Sequence, residues 1–194
     1  MQSKSPGQFI TFEPRPASPA EFVDFWSARY DDGKYDESIY LRHISAPLTP
    51  GSICELFRWK NGTPLSAGKK ASLSRNFVER LSELSKLSSA TSAEEFLSFF
   101  SEGGAVWRIF WLHCWQHERF PIYDQHVHRA MAYVLTGTSE EAPAANSRKV
   151  RAYLDRYLPF LQRFRTLPPR QVDRALWTFG KYLKDWMPNT QSPK

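Results

Sequence analysis

The chain has 194 residues, 41% of them hydrophobic and 24% charged, which suits a soluble domain with a sizeable core and excludes a disordered or fibrous chain. Its two cysteines, Cys54 and Cys114, are too few for a four-cysteine zinc or iron–sulfur site, and no cofactor is expected. A net charge of +6 favours a polyanionic partner, nucleic acid before an anionic membrane.

Aromatic residues reach 15%, so the core should be built largely from rings. Both cysteines lie in apolar helical contexts and are expected as buried, reduced thiols. The opening residues are polar and proline-rich with no signal-peptide pattern, and no apolar run approaches membrane-spanning length. A cytoplasmic compartment follows by elimination.

In chain order, residues 1–17 carry three prolines and no helical period, and are expected as an extended or partly disordered arm. Residues 18–194 are expected as a single helical domain of two lobes sharing a cleft. Ser18-Pro19-Ala20-Glu21 reads as a capping box with proline at the first helical position. The helix it opens carries Phe22, Phe25 and Trp26 on one face, and Asp31-Asp32-Gly33 stops it. Tyr35 to His43 fits a short helix or an extended segment equally well. Thr49-Pro50 starts the next helix, with Ile53, Leu56, Phe57 and Trp59 apolar, and Asn61-Gly62 ends it.

A loop from Gly62 to Lys70 then leads to a predicted amphipathic helix over Leu73 to Leu87. Thr91 and Glu94 read as a second capping box, opening a helix with Phe96, Leu97, Phe99 and Phe100 that Gly103-Gly104 terminates. The stretch from Trp107 to Met131 holds three of the seven tryptophans and four of the five histidines. Within it, a helix breaks at Pro121 and Asp124 stands where the next helix begins. Beyond Gly137, a polar loop leads to a basic helix from Ser147 to Arg165, kinked or split at Pro159. Pro168-Pro169 begins the last helix, through Ala175, Leu176, Trp177, Phe179 and Leu183. The expected class is all-α.

Asp124 at a helix N-cap has a structural role, accepting from the first unpaired N–H groups at the positive helix end. The same position also holds a carboxylate ionised and fixed in orientation, as electrostatic catalysis requires.

Gly104 followed by an apolar helix and then Asp124-Gln125-His126-Val127-His128-Arg129 resembles the helix-hairpin-helix DNA glycosylase superfamily. In that family the hairpin reads Leu-Pro-Gly-Val-Gly and an Asp-Thr-His-Val-x-Arg segment follows about twenty residues on. Here Gly104 and Asp124 stand at that separation, Phe100 takes the leading apolar place, and Asp124, His126, Val127 and Arg129 match the second segment. The hairpin departs from the family at Ser101 and Glu102, which weakens phosphate capture by its N–H groups. The lysine that bifunctional members use to form an imine falls at Val106. The resemblance therefore implies a monofunctional glycosylase without a lysine-dependent lyase step, unless another lysine folds into the pocket.

On that reading Asp124 is the catalytic residue, stabilising oxocarbenium-like charge on the sugar and orienting water. The extruded base would be held by Tyr123, Trp107, Trp111 and His126. Double-stranded DNA would be gripped through Gly103, Gly104, Lys60, Asn61, Lys69, Lys70, Arg75 and Arg129, with Asn61 a candidate for the space the base vacates. The protein is expected as a monomer, in DNA repair or in defence against phages with modified bases.

Other readings fit the same residues. A non-catalytic helical DNA-binding protein on this scaffold is the first, and a metal-dependent nuclease the second. His113 and His117 at i and i+4 could share an ion, but the glutamate of an HExxH motif is replaced by Cys114, and no metal site is expected. Arg148, Lys149, Arg151 and Arg156 fit the solvated face of a helix, and Asp173, Trp177 and Gly180 fit packing of the last helix, with Gly180 admitting a close neighbour.

Overall fold

A computed structural model describes residues 15–31 and 36–186, and these residues fold as helices with no strand among them. The predicted arm and the Asp32-Gly33 stop therefore lie largely outside the described residues. The all-α class stands.

Helix α1 (Pro19–Ser27) opens with the expected capping box, Ser18 and Glu21 each bonding the other's backbone, an arrangement contributing about 1 kcal/mol. Phe22 and Trp26 pack on the core while Phe25 stays 49% exposed, so only part of the expected face is inward. The segment left open by sequence is helix α2 (Glu37–Ile44), capped by Asp36. Helix α3 (Pro50–Asn61) is capped by Thr49 and closed by Gly62 at φ 69°, a left-handed conformation suited to glycine. Ile53, Leu56, Phe57 and Trp59 are buried as expected. Cys54 is exposed, whereas Cys114 is buried. The period that buries Ile53 and Phe57 turns Cys54 to the opposite face.

The long helix expected from Leu73 to Leu87 does not form as one piece. Helix α4 (Ala67–Leu73) begins earlier, widens into a π turn over Ser74–Val78, and gives way to a 3₁₀ segment over Leu81–Lys86. Leu81, Leu84 and Leu87 recur every third residue, the period of a 3₁₀ helix rather than an α-helix, and all three pack on the core. Helix α5 (Ala93–Phe99) is capped one residue later than predicted, by Ser92 with Glu95, because Thr91 Oγ1 is taken by the Ser88 N–H. The Arg108 guanidinium caps the far end of α5 through the Leu97 and Phe100 carbonyls. Gly103 and Gly104 turn the chain into α6 (Ala105–Trp115).

Helix α7 (Gln125–Thr136) starts at Asp124 and ends at Gly137. The predicted basic helix is a chain of short pieces: α8 (Asn146–Ala152), a π turn over Tyr153–Tyr157, then α9 (Leu158–Leu161) with Pro159 in its first turn. Helix α10 (Pro169–Trp186) buries Val172, Ala175, Leu176, Phe179 and Leu183 along one stripe and packs on α1 and α7. No helix among the described residues is long and apolar enough to cross a membrane.

Rings dominate the core. Phe57 meets Phe77 at 4.9 Å and Phe110 at 5.1 Å between centroids. His113 ties three segments together: its Nδ1–H donates to the Phe120 carbonyl at 2.6 Å, so Nε2 accepts from the Tyr40 hydroxyl at 2.9 Å. With both nitrogens engaged, His113 is a neutral core histidine. Burial pushes it down to about 3, below its ordinary 6.5. The unfolded chain therefore binds the extra proton first as pH falls. Stability should drop below about pH 6.5, by up to about 1.4 kcal/mol per pH unit. In urea titrations at about pH 7 and about pH 5, the wild-type midpoint should fall further than that of His113→Gln. Equal falls would show that another group carries the acid sensitivity.

Candidate active site around Asp124

The strap between α6 and α7 is fixed on several sides before it reaches Asp124. His113 holds the Phe120 carbonyl, the Tyr153 hydroxyl donates to the Pro121 carbonyl at 3.4 Å, and the Tyr123 hydroxyl meets His128 Nδ1 at 2.7 Å. Asp124 is then extended (φ −157°, ψ −174°), and its Oδ1 accepts from the His126 and Val127 N–H groups at 2.8 and 3.2 Å. Its Oδ2 accepts from Lys60 Nζ at 2.7 Å.

Lys60 belongs to the last turn of α3, so a cation at one helix C-terminus meets an anion at another helix N-terminus. The two side chains are only 10% and 15% exposed. Burial alone would raise the Asp124 carboxyl, but the Lys60 ammonium, His126 and the helix N–H groups outweigh it and hold the group below the ordinary carboxylate range. Asp124 is therefore ionised at neutral pH.

The pair lines a cavity of about 490 Å³. Trp59 and Asn61 of α3 form one wall with Val106 and Trp107 of α6. The loop between α7 and α8 adds residues 141–144, and α10 adds Arg170, Asp173 and Trp177. Arg170 anchors the α10 wall: it donates to both oxygens of Glu37 at 2.8 Å and to Asp173 Oδ2, with its guanidinium 4.5 Å from the Tyr40 ring centroid. Arg174 joins the cluster at 3.0 Å from Glu37.

The chain matches no family model, no curated protein and no solved structure. The site is therefore interpreted from its own geometry.

That geometry brings together part of the expected constellation. Asp124, Lys60, Asn61, Trp107, Tyr123 and His126 all line the cavity. So does Val106, the position where the resemblance puts the family's lysine. Lys60 was expected on phosphate and is instead turned inward onto Asp124, which satisfies the condition that Val106 left open. Tyr123 is fully buried with its hydroxyl spent on His128, so it closes the floor rather than offering a stacking face. Trp111 does not line the cavity. It is fully buried against Phe77 and Phe100, on the core side of α6. His126 lies 5.2 Å from Trp177 between ring centroids.

Arg129 is 2% exposed and cannot reach a phosphate. It donates to Glu141 at 2.7 and 2.8 Å and to the Gly180 carbonyl at 3.0 Å, bracing the 141–144 wall against α10. At the hairpin, Gly103 takes φ 92° with Asn76 and Phe77 against it, and Gly104 is exposed at the start of α6. The Ala105 N–H that follows is taken by Asn146 Oδ1 at 3.2 Å, which weakens the turn further as a phosphate cradle. Lys69 donates to Asn61 Oδ1 at 2.7 Å, while Lys70 and Arg75 lie exposed nearby.

Sequence reasoning did not place Trp59, Tyr30, Arg170, Asp173 or Trp177 in the site. The one available signal was Asp173 and Trp177 standing one turn apart, which fits packing equally well. Among the described residues, no group of three or more His, Cys, Asp or Glu side chains is arranged to hold a metal ion.

Proposed function

We propose that the protein is a DNA N-glycosylase that excises an extruded base from double-stranded DNA. The observation that carries this reading is an ionised, rigidly oriented carboxylate with a primary amine 2.7 Å away, in a cavity walled by tryptophans. Breaking the C1′–N bond builds positive charge on the sugar, and a fixed anion lowers the energy of that state because it needs no reorganisation. The rings of Trp107 and Trp177, both only partly buried, supply π surfaces for a base that has left its stack. The net charge of +6 suits the polyanion that delivers it. Removal of a damaged base and removal of a phage's modified base use the same chemistry.

Lys60 alters the expected course of that reaction. With Val106 at the family's lysine position, water would be the nucleophile; Lys60 offers an amine instead. The Lys60 ammonium gives a proton to the departing base while Asp124 stays ionised, and Nζ forms a bond to C1′ as the C1′–N bond breaks, with that electron pair leaving with the base. Opening of the sugar ring, with protonation of O4′, converts the C1′ adduct to an imine.

Borohydride reduces such an imine to a stable amine. Incubating the protein with duplexes containing modified bases and borohydride should give a covalent protein–DNA adduct, and Lys60→Gln should lose it. Base release without an adduct would mean that water attacks and Lys60 only orients the carboxylate. Duplex binding without any base release would instead favour a non-catalytic DNA-binding protein on this scaffold.

A further inference from the structure

The excision reading leaves open which bases enter the cavity, and the α10 wall bears on that question. Asp173 lines the cavity on that wall, one helical turn from Trp177. Its Oδ2 is held by Arg170, while Oδ1 has no hydrogen-bond partner among the described residues. Oδ1 is not among the buried unpaired polar atoms, so it is reached by solvent and can accept from a molecule that displaces that solvent from the cavity. Arg170 is itself clamped by Glu37, so the carboxylate is fixed in direction. Burial pushes the Asp173 carboxyl up to about 6 against the pull of Arg170, which still leaves it ionised at neutral pH.

Resting on the glycosylase reading, we propose that Asp173 Oδ1 selects the extruded base, and that the site prefers bases bearing an exocyclic amino donor over their oxo counterparts. An amino group donates to the carboxylate; a carbonyl oxygen in the same place presents one lone pair to another and is repelled. Cytosine-, adenine- and guanine-type bases carry such a donor, whereas uracil- and thymine-type bases carry oxygen. A hydrogen bond to a charged acceptor contributes about tenfold to a hundredfold in discrimination.

Matched substrates isolate this group. Duplexes carrying 5-hydroxymethylcytosine against 5-hydroxymethyluracil, and 8-oxoadenine against 8-oxohypoxanthine, differ within each pair at the amino-bearing edge. Mass spectrometry of released bases should show the amino member of a pair leaving at least about tenfold faster. In Asp173→Asn, Arg170 keeps the amide oxygen and turns the NH₂ into the cavity, so the preference should shrink or invert. Faster or equal release of the oxo member by the wild-type protein would overturn the assignment of Asp173 while leaving base excision intact. Release of none of the four bases would overturn the excision reading and this one with it. The wild-type comparison needs no variant, so a failure of Asp173→Asn to fold, detected by circular dichroism, leaves the test standing.

Discussion

Asp124→Asn should lose base release by about 10³-fold or more while keeping the fold. Asparagine is as good an N-cap as aspartate, so its side-chain oxygen retains the His126 and Val127 N–H groups that Oδ1 now accepts. What disappears is the negative charge. Without it, nothing in the pair offsets the positive charge developing on the sugar, and Lys60 loses its partner. The measurement is alkali-labile abasic sites formed in a modified duplex under single-turnover conditions, with thermal melts recorded alongside. A variant that melts like wild type and releases no base separates the chemistry from the cap. A variant that still releases base at the wild-type rate would leave Asp124 as a helix cap and nothing more. Asp124→Ala removes both roles and should add about 1 kcal/mol of destabilisation.

Most helix starts and the place of Asp124 at one of them were legible in the sequence because both rest on local rules. Ser18, Thr49 and Asp124 are caps that declare themselves by residue type and spacing, and the apolar period of α3 and α10 fixes their inward faces. The cavity was not legible to the same degree. Lys60 was visible as a basic residue near a glycine turn, yet its contact with Asp124 spans 64 positions and depends on how the end of α3 meets the start of α7. The same limit misassigned Arg129. Motif similarity placed it on DNA, but Glu141, twelve residues on, takes its guanidinium into the protein. Trp111 shows the converse: it shares a face of α6 with Trp107, which lines the cavity, yet one turn further on it is enclosed by Phe77 and Phe100 and belongs to the core. Tertiary approach, not composition, decides these positions.

Gly180→Ala should destabilise the protein by about 3 kcal/mol or more, against the usual expectation for glycine inside a helix. Alanine at an open helical site gains up to about 1 kcal/mol. At Gly180, however, an added Cβ would lie 2.6 Å from the His126 carbonyl carbon and still closer to its oxygen. Both are backbone atoms of α7, so no side-chain rotation relieves the overlap, and the crossing of α7 and α10 has to open. The effect reaches the site, because His126 supplies one of the two N–H groups that hold Asp124, and Arg129 bonds the Gly180 carbonyl from the same interface. Gly68 on α4 is the internal control: a Cβ there meets nothing within 4 Å. Urea denaturation of the two alanine variants should therefore give opposite results, with Gly68→Ala neutral or slightly more stable and Gly180→Ala clearly weaker. Base release by Gly180→Ala should also fall, under conditions where it remains folded, since a shifted α7 carries its N-cap with it. Equal stability of the two variants would mean that α7 and α10 do not approach this closely in solution, and that Asp124 is held by its strap alone.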